Sequence, residues 1–106
     1  MLTRRARLPR ELFGSGWEEA VRTPYFFLKT KKNGGSVTRI GVVAGMTVEK
    51  TATKRNFWKR QAKTALARLP AAGRDIVIIL SPRVKTLTKK KFSDEVAMAA
   101  ARLGAM

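Results

Sequence analysis

The chain has 106 residues, 44% of them hydrophobic, with 23 Lys and Arg against 7 Asp and Glu, no His and no Cys. That length suits a single domain with one modest core, and the net charge of +16 opposes compaction unless a polyanion relieves it, which makes nucleic acid the first partner to consider. Without Cys or His, disulfide frameworks, thiolate chemistry, Ser-His triads, histidine general bases and Cys or His metal ligation are excluded.

In chain order, "RRARLPRELF" at 4–13 is expected to form a short helix that "FGSGW" ends or bends. "YFFLKT" at 25–30 reads as a strand, with Tyr25, Phe27 and Lys29 on one face and Phe26 and Leu28 on the other. "NGG" at 33–35 reads as a hairpin turn into a second strand, "SVTRIGVVAGM", in which Gly41 and Gly45 mark a bulge or a close approach to the backbone. Thr51 or Thr53 is placed to cap a helix from about residue 54 to Pro70. At about 100° per residue, Trp58, Ala62, Ala65, Leu66 and Leu69 form its apolar stripe, while Arg55, Asn56, Lys59, Arg60 and Lys63 form a polar face. "RDIVIIL" at 74–80 has no alternation, as expected of a strand covered on both faces. After the basic connection "SPRVKTL", a last helix over about 88–103 places Phe92, Val96, Ala99 and Leu103 inward.

The expected architecture is therefore a small single-domain α+β sandwich over residues 1–106. Its order is helix, two or three strands, helix, strand, helix, and the strand-helix-strand stretch makes the sheet partly parallel. The longest aliphatic run, at 76–80, falls well short of the roughly 20 residues that span a bilayer, and the Arg-rich start leads into no apolar segment of signal-peptide length. A cytoplasmic protein without a membrane partner is expected.

No catalytic constellation stands out. The carboxylates Glu11, Glu18, Glu19, Glu49, Asp75, Asp94 and Glu95 are scattered along the chain, whereas metal-dependent nucleases need several converging on one point. The notable feature is "TKRNFWKRQAK": Lys54 and Arg55 occupy the first turn of a helix, where the macrodipole disfavours cations by about 0.3–1 kcal/mol. Phosphates bound beside that end would relieve the penalty, and Asn56 adds a paired donor and acceptor for a base edge or sugar hydroxyl. On the helical wheel Phe57 falls away from the apolar stripe, beside Thr64 and Arg68, and is expected to be largely exposed and able to stack on an unpaired base.

This helix resembles the signature helix of the bacterial ribonuclease P protein component. Ala52, Arg55, Asn56, Lys59, Arg60 and Lys63 stand at matching positions, and Phe57 replaces the last residue of an Arg-Asn-Arg triplet. The likeness extends over most of the chain from about residue 25, through "RIGVVAGMTVEKTA" and "RDIVIILSP", with "AGM" where the family usually carries a Ser-Lys-Lys-like segment. The resemblance implies a non-catalytic protein subunit of an endoribonuclease that matures the 5′ end of tRNA. Lys54, Arg55, Asn56, Phe57, Lys59, Arg60 and Lys63 would dock on the catalytic RNA subunit. Phe13, Trp17, Tyr25, Phe27 and Lys29 would receive the 5′ leader of precursor tRNA. Mg²⁺ would act through the RNA, with no cofactor bound by the protein alone and no protein partner required. The alternatives are a basic structural ribosomal protein, another non-catalytic RNA-binding module, or a nucleoid protein that binds DNA without sequence preference.

Overall fold

The most apolar strand of the chain takes the most covered place in the sheet. In the computed structural model, which describes residues 17–35, 37–45, 47–68 and 73–103, the strands are β1 (Glu19–Arg22), β2 (Phe26–Lys32), β3 (Arg39–Val43) and β4 (Arg74–Leu80). The helices are α1 (Ala52–Ala67) and α2 (Lys89–Arg102), and the connection expected over residues 81–87 holds a short 3₁₀ helix, Pro82–Thr86. The strands lie in the order β1-β2-β4-β3. β4 runs antiparallel to β2 and parallel to β3, so the sheet is partly parallel, and β1 runs antiparallel to β2. The helix expected over 4–13 lies outside the described residues.

Two expectations need correction. β2 and β3 do not form a hairpin, because β4 separates them. Ile76, Val77 and Ile78 are all fully buried, and only a central strand offers both a covered face on each side and a paired neighbour at each edge. β3 also pairs through Gly41, opposite Val77, without a bulge. The hairpin that does exist joins β1 to β2. Its turn is closed by Thr23, whose Oγ1 accepts hydrogen bonds from the backbone N–H of Tyr25 and Phe26, each at 3.1 Å. β1 is a short, charged edge strand, a form that discourages edge-to-edge association.

The "NGG" segment is instead a crossing over the end of β4. The Asn33 backbone N–H donates to the Gly73 carbonyl at 2.9 Å, and its Nδ2 donates to Val37 O at 2.9 Å and to Asp75 Oδ1 at 3.0 Å. Gly73 has φ of 69°, and a Cβ there would lie 2.3 Å from the Gly35 carbonyl oxygen, so both conformation and space require glycine. Asp75, 1% exposed, accepts a two-pronged contact from Arg39: Nε to Oδ1 and Nη2 to Oδ2, both 2.7 Å.

Both helices contribute to a single core built on one sheet face. Phe26, Leu28, Ile40, Ile76, Ile78 and Leu80 meet Trp58, Ala62, Ala65 and Leu66 of α1 and Phe92, Val96 and Ala99 of α2, joined by Leu103. These are the inward residues that helical periodicity selects, apart from Leu69, which lies outside the described residues. Phe92 joins the layers, with its ring 6.1 Å from Phe26 and 5.7 Å from Trp58 in edge-on arrangements. Thr51 caps α1 and Thr88 caps α2. The opposite sheet face carries Arg22, Phe27, Lys29 and Lys31 by strand alternation.

The Asp75 clamp predicts a pH-dependent stability. Burial disfavours the carboxylate, but hydrogen bonds from Arg39 and Asn33 and the charges of Arg39 and Lys31 outweigh it, holding Asp75 below the ordinary carboxylate value. Its contribution is therefore complete above the unfolded pKa of about 4 and is lost as pH falls through the lower folded value. Arg39→Ala, which leaves the buried carboxylate with Asn33 alone, is expected to lower unfolding free energy at pH 7 by about 3 kcal/mol in urea titrations. It should also reduce the loss of stability seen below about pH 4. An Arg39→Ala protein as stable as the parent would show that the clamp does not hold the sheet together.

Candidate nucleic-acid interface

The outward face of α1 brings together cations that the core does not use. Lys54, Asn56 and Arg60 are exposed and Lys59 and Lys63 half-exposed; Lys59, Lys63, Asn56 and Arg60 form an arc beside the buried stripe, and Lys54 stands at the open first turn. Among the described residues no carboxylate pairs with Lys54, Lys59, Arg60 or Lys63, and the first turn of α1 contains no acid. Uncompensated like charges on one helix face repel, which an incoming polyanion would reverse.

Arg55 differs from its neighbours. Its Nη1 donates to the carbonyls of Glu49 and Lys50, both at 3.0 Å, fastening the entering loop to the first turn. A residue expected to make an external contact is thus directed partly into its own backbone. The loop it fastens lines a groove of about 490 Å³ with Lys50, Thr51, Lys54 and Lys85. Lys85 comes from the 3₁₀ helix. Sequence reading missed it because only the topology carries it to the start of α1.

Phe57 is half-buried, not largely exposed as the helical wheel predicts. Its ring packs against the core and meets Trp58 edge-on at 5.2 Å, while Lys89 Nζ sits 5.4 Å from its centroid. The reason is tertiary: the first turn of α2 comes alongside the flank of α1 that a lone helix would leave to solvent. Trp58 itself, 6% exposed, is a core residue.

A second surface lies on the sheet face opposite the helices. Lys29 Nζ is 5.3 Å from the Trp17 ring and 5.8 Å from the Phe27 ring, Lys31 Nζ is 5.1 Å from Trp17, and the Arg22 guanidinium carbon is 4.5 Å from Phe27. Phe27 and Lys29 share a face as strand alternation predicts, and Trp17, Arg22 and Lys31 come together with them. Lys31 was legible as the next outward residue after Phe27 and Lys29. Arg22 was not, since only its register opposite Phe27 places it there. Tyr25 separates from this group and packs against the helix-side core. Phe13 lies outside the described residues.

Interleaved rings and cations suit a single strand of nucleic acid, with bases on the rings and phosphates on the cations. The α1 face, rich in charge and without an open ring, suits the backbone of a folded nucleic acid. Among the described residues no three carboxylates gather as a metal-ligand set, and no helix is long and apolar enough to cross a membrane.

Comparison with known proteins identifies a family and a fold. The ribonuclease P family profile matches residues 9–104. The fold is similar to that of an RNase P protein from Staphylococcus aureus, with a TM-score of 0.72 and 18% identity over 82% of each chain. A Staphylococcus aureus RNase P protein mutant with defective mRNA degradation activity gives 0.81 at 16% identity, over 96% of this chain and 91% of that one. The RNase P protein from Thermotoga maritima in complex with 1-(4-fluorophenyl)-2-thiourea gives 0.66 at 24% identity, over 74% and 79%. At these identities the likeness is one of fold. No curated protein matches the chain.

The packing of Phe57 generates a test. Phe57→Ala removes the ring that abuts Trp58 and is expected to cost about 1–3 kcal/mol, toward the low end of buried aromatic truncations because the site is half-open. Thermal melting of the free protein checks it. An unchanged melting temperature would return Phe57 to the solvent-facing set.

Proposed function

The chain belongs to the bacterial ribonuclease P protein family, and from that premise we propose how this protein subunit of an endoribonuclease of tRNA processing divides its RNA contacts. The basic face of α1, with Lys54, Asn56, Lys59, Arg60 and Lys63 outermost and Arg55 shaping its start, docks on the catalytic ribonuclease P RNA. The ring-and-cation surface of Trp17, Phe27, Lys29, Lys31 and Arg22 receives the single-stranded 5′ leader of precursor tRNA, with Phe13 and Tyr25 as further members of that site. Residues 1–106 act as one RNA-binding domain in the cytoplasm, without need of a protein partner.

The observation that carries this reading is the presence of two basic surfaces of different make on one small fold. α1 offers point charges without an accessible ring, which reads shape and phosphate position. The sheet offers stacking platforms between cations, which tolerates many sequences because every base has a π face. Tolerance is what a leader of variable sequence requires.

Hydrolysis in this scheme belongs to the RNA and its Mg²⁺ ions. The protein's own residues bind and orient. Those on α1 neutralise the RNA backbone, and those on the sheet hold the leader so that the scissile bond stays in the RNA's active site. Holding the substrate on two supports converts a diffusional search into a local one, and this positioning is where a non-catalytic subunit can raise rate.

Adding the chain to a bacterial ribonuclease P RNA is expected to stimulate precursor tRNA cleavage at low Mg²⁺. Absence of stimulation would overturn the reading. With about four phosphates neutralised by α1, log affinity for the RNA subunit should fall with log salt at a slope of about −3. A nearly flat dependence would exclude phosphate docking.

The two surfaces can also be separated by mutation. Phe27→Leu should weaken binding of precursor tRNA to the holoenzyme by about 1–3 kcal/mol while sparing mature tRNA. Equal losses for both would assign Phe27 to the fold. The same measurement on Tyr25→Leu decides whether a ring packed against the core still reaches the leader.

A further inference from the structure

The basic surface does not end at the edge of α1. Going round the helix from Arg60, the next residues within about 80° include Thr64, Phe57 and Arg68, at 100° per residue. Beyond them lies a groove of about 380 Å³ between α1 and α2, lined by Gln61, Thr64 and Arg68 from one helix and Lys89, Lys90 and Asp94 from the other. Arg68, Lys89 and Lys90 are exposed, and among the described residues none of them has a carboxylate partner. Lys89 is not loose on the surface, since its ammonium is held over the Phe57 ring at 5.4 Å from the centroid. Lys89, Lys90 and Lys91 also open α2, whose first turn contains no acid, so their charge opposes the macrodipole where Asp or Glu would favour it.

We propose that this interhelical groove is a second phosphate-binding site, in which Lys89, held in position by Phe57, acts with Lys90 and Arg68 on a ribose-phosphate segment of the same RNA that docks on α1. The proposal rests on the RNA-subunit reading of α1 and extends that surface across the flank to α2. Continuity through Arg60 and Thr64 lets one RNA element lie over both. Three cations against the single carboxylate of Asp94 set the sign of the ligand. The amide of Gln61 and the hydroxyl of Thr64 add donors suited to phosphate and sugar oxygens. Phe57 has a positioning role. Its ring holds the ammonium through a cation–π contact while a T-shaped contact anchors it on Trp58, so the charge is presented with less conformational freedom than a solvated lysine retains.

The test is a salt titration of binding to ribonuclease P RNA, comparing the parent chain with Lys89→Ala/Lys90→Ala and with a charge-matched control, Lys32→Ala/Arg102→Ala. Loss of two phosphate contacts should make the slope of log affinity against log salt shallower by about 1.5 units, with affinity lower on the order of tenfold at moderate salt. The control should change little. The melting temperature of Lys89→Ala/Lys90→Ala should hold or rise, since the dipole is relieved, a result that a merely structural role for these lysines would not give.

Phe57→Leu should weaken RNA binding about two- to fivefold in the parent and leave it unaltered in the Lys89→Ala background, because the ring acts through that ammonium. Lys59→Ala/Lys63→Ala reads the α1 docking separately. If that variant loses RNA affinity while Lys89→Ala/Lys90→Ala keeps the parental slope, the groove is not a phosphate site and the α1 reading stands. A Lys89→Ala/Lys90→Ala loss no larger than that of the control would likewise overturn the proposal.

Discussion

A buried carboxylate decides how this sheet is assembled. Asp75, at the start of β4, receives Arg39 from β3 and Asn33 from the end of β2, so one side chain links the three strands at that end of the sheet. An unpaired charge at 1% exposure would be costly, and the arrangement that satisfies it is the one with β4 between its partners. The rest follows from that choice. The chain between β2 and β3 must cross the end of β4, which requires the close approach of Gly35 to Gly73. The connection between the parallel strands β3 and β4 must be long, and α1 fills it. α1 thereby lies on the helix-side layer with its basic arc outward, while β1 and β2 form the open flank whose outer face carries the rings and cations.

The same economy governs the few acids. With 7 Asp and Glu against 23 Lys and Arg, every carboxylate placed beside a cation withdraws charge from the surface. Asp75 serves Arg39, Glu19 lies 3.9 Å from Arg74, and Glu18 accepts from the Lys32 backbone N–H. These contacts all fall at the end of the sheet where β2 leaves and β4 begins. Among the described residues none falls on the outward arc of α1. These three acids serve the end of the sheet, and the cations of α1 are left without a paired carboxylate among the described residues. Fold stability and surface potential are thus supplied by different parts of one small molecule, and the charge that opposes folding is concentrated where a polyanion can relieve it.

Much of this was legible in the sequence, and the exceptions share a cause. Helix periodicity selected Trp58, Ala62, Ala65 and Leu66 and then Phe92, Val96, Ala99 and Leu103, because each choice depends on neighbours within two turns. The missing alternation in "RDIVIIL" announced a doubly covered strand for the same reason. Strand order was not legible, since the contact that sets it joins residues 36 positions apart and "NGG" has the local chemistry of a tight turn. Nor was β1 legible, since Glu19–Arg22 is too short and too charged to declare itself as a strand. Tyr25 was grouped with Phe27 by parity, but it precedes β2 and turns toward the core, where its carbonyl accepts from the Ser81 backbone N–H at 2.9 Å. In each case the deciding partner lies on another element.

The lysines at the helix starts show how a local rule and a global function can be opposed by design. Both α1 and α2 are properly capped, by Thr51 and Thr88, so the chain has not neglected these ends. Yet both carry cations in the first turn, Lys54 and Arg55 in α1 and Lys89, Lys90 and Lys91 in α2, and lack an acid there, a choice that costs about 0.3–1 kcal/mol per charge. The fold sets each start beside further cations, with Lys85 lining the groove that holds Lys54, and Lys89 and Lys90 sharing the interhelical groove with Arg68. At each start the clustered cations repel one another in the free protein. Solvent screening reduces that repulsion without reversing its sign. A multivalent anion reverses it, because each phosphate removed from its counterions satisfies backbone N–H groups and ammonium groups together. The arrangement is therefore one in which binding relieves repulsion already present in the free state, and its electrostatic part should be carried by the cations at the two helix starts as well as by the exposed face of α1.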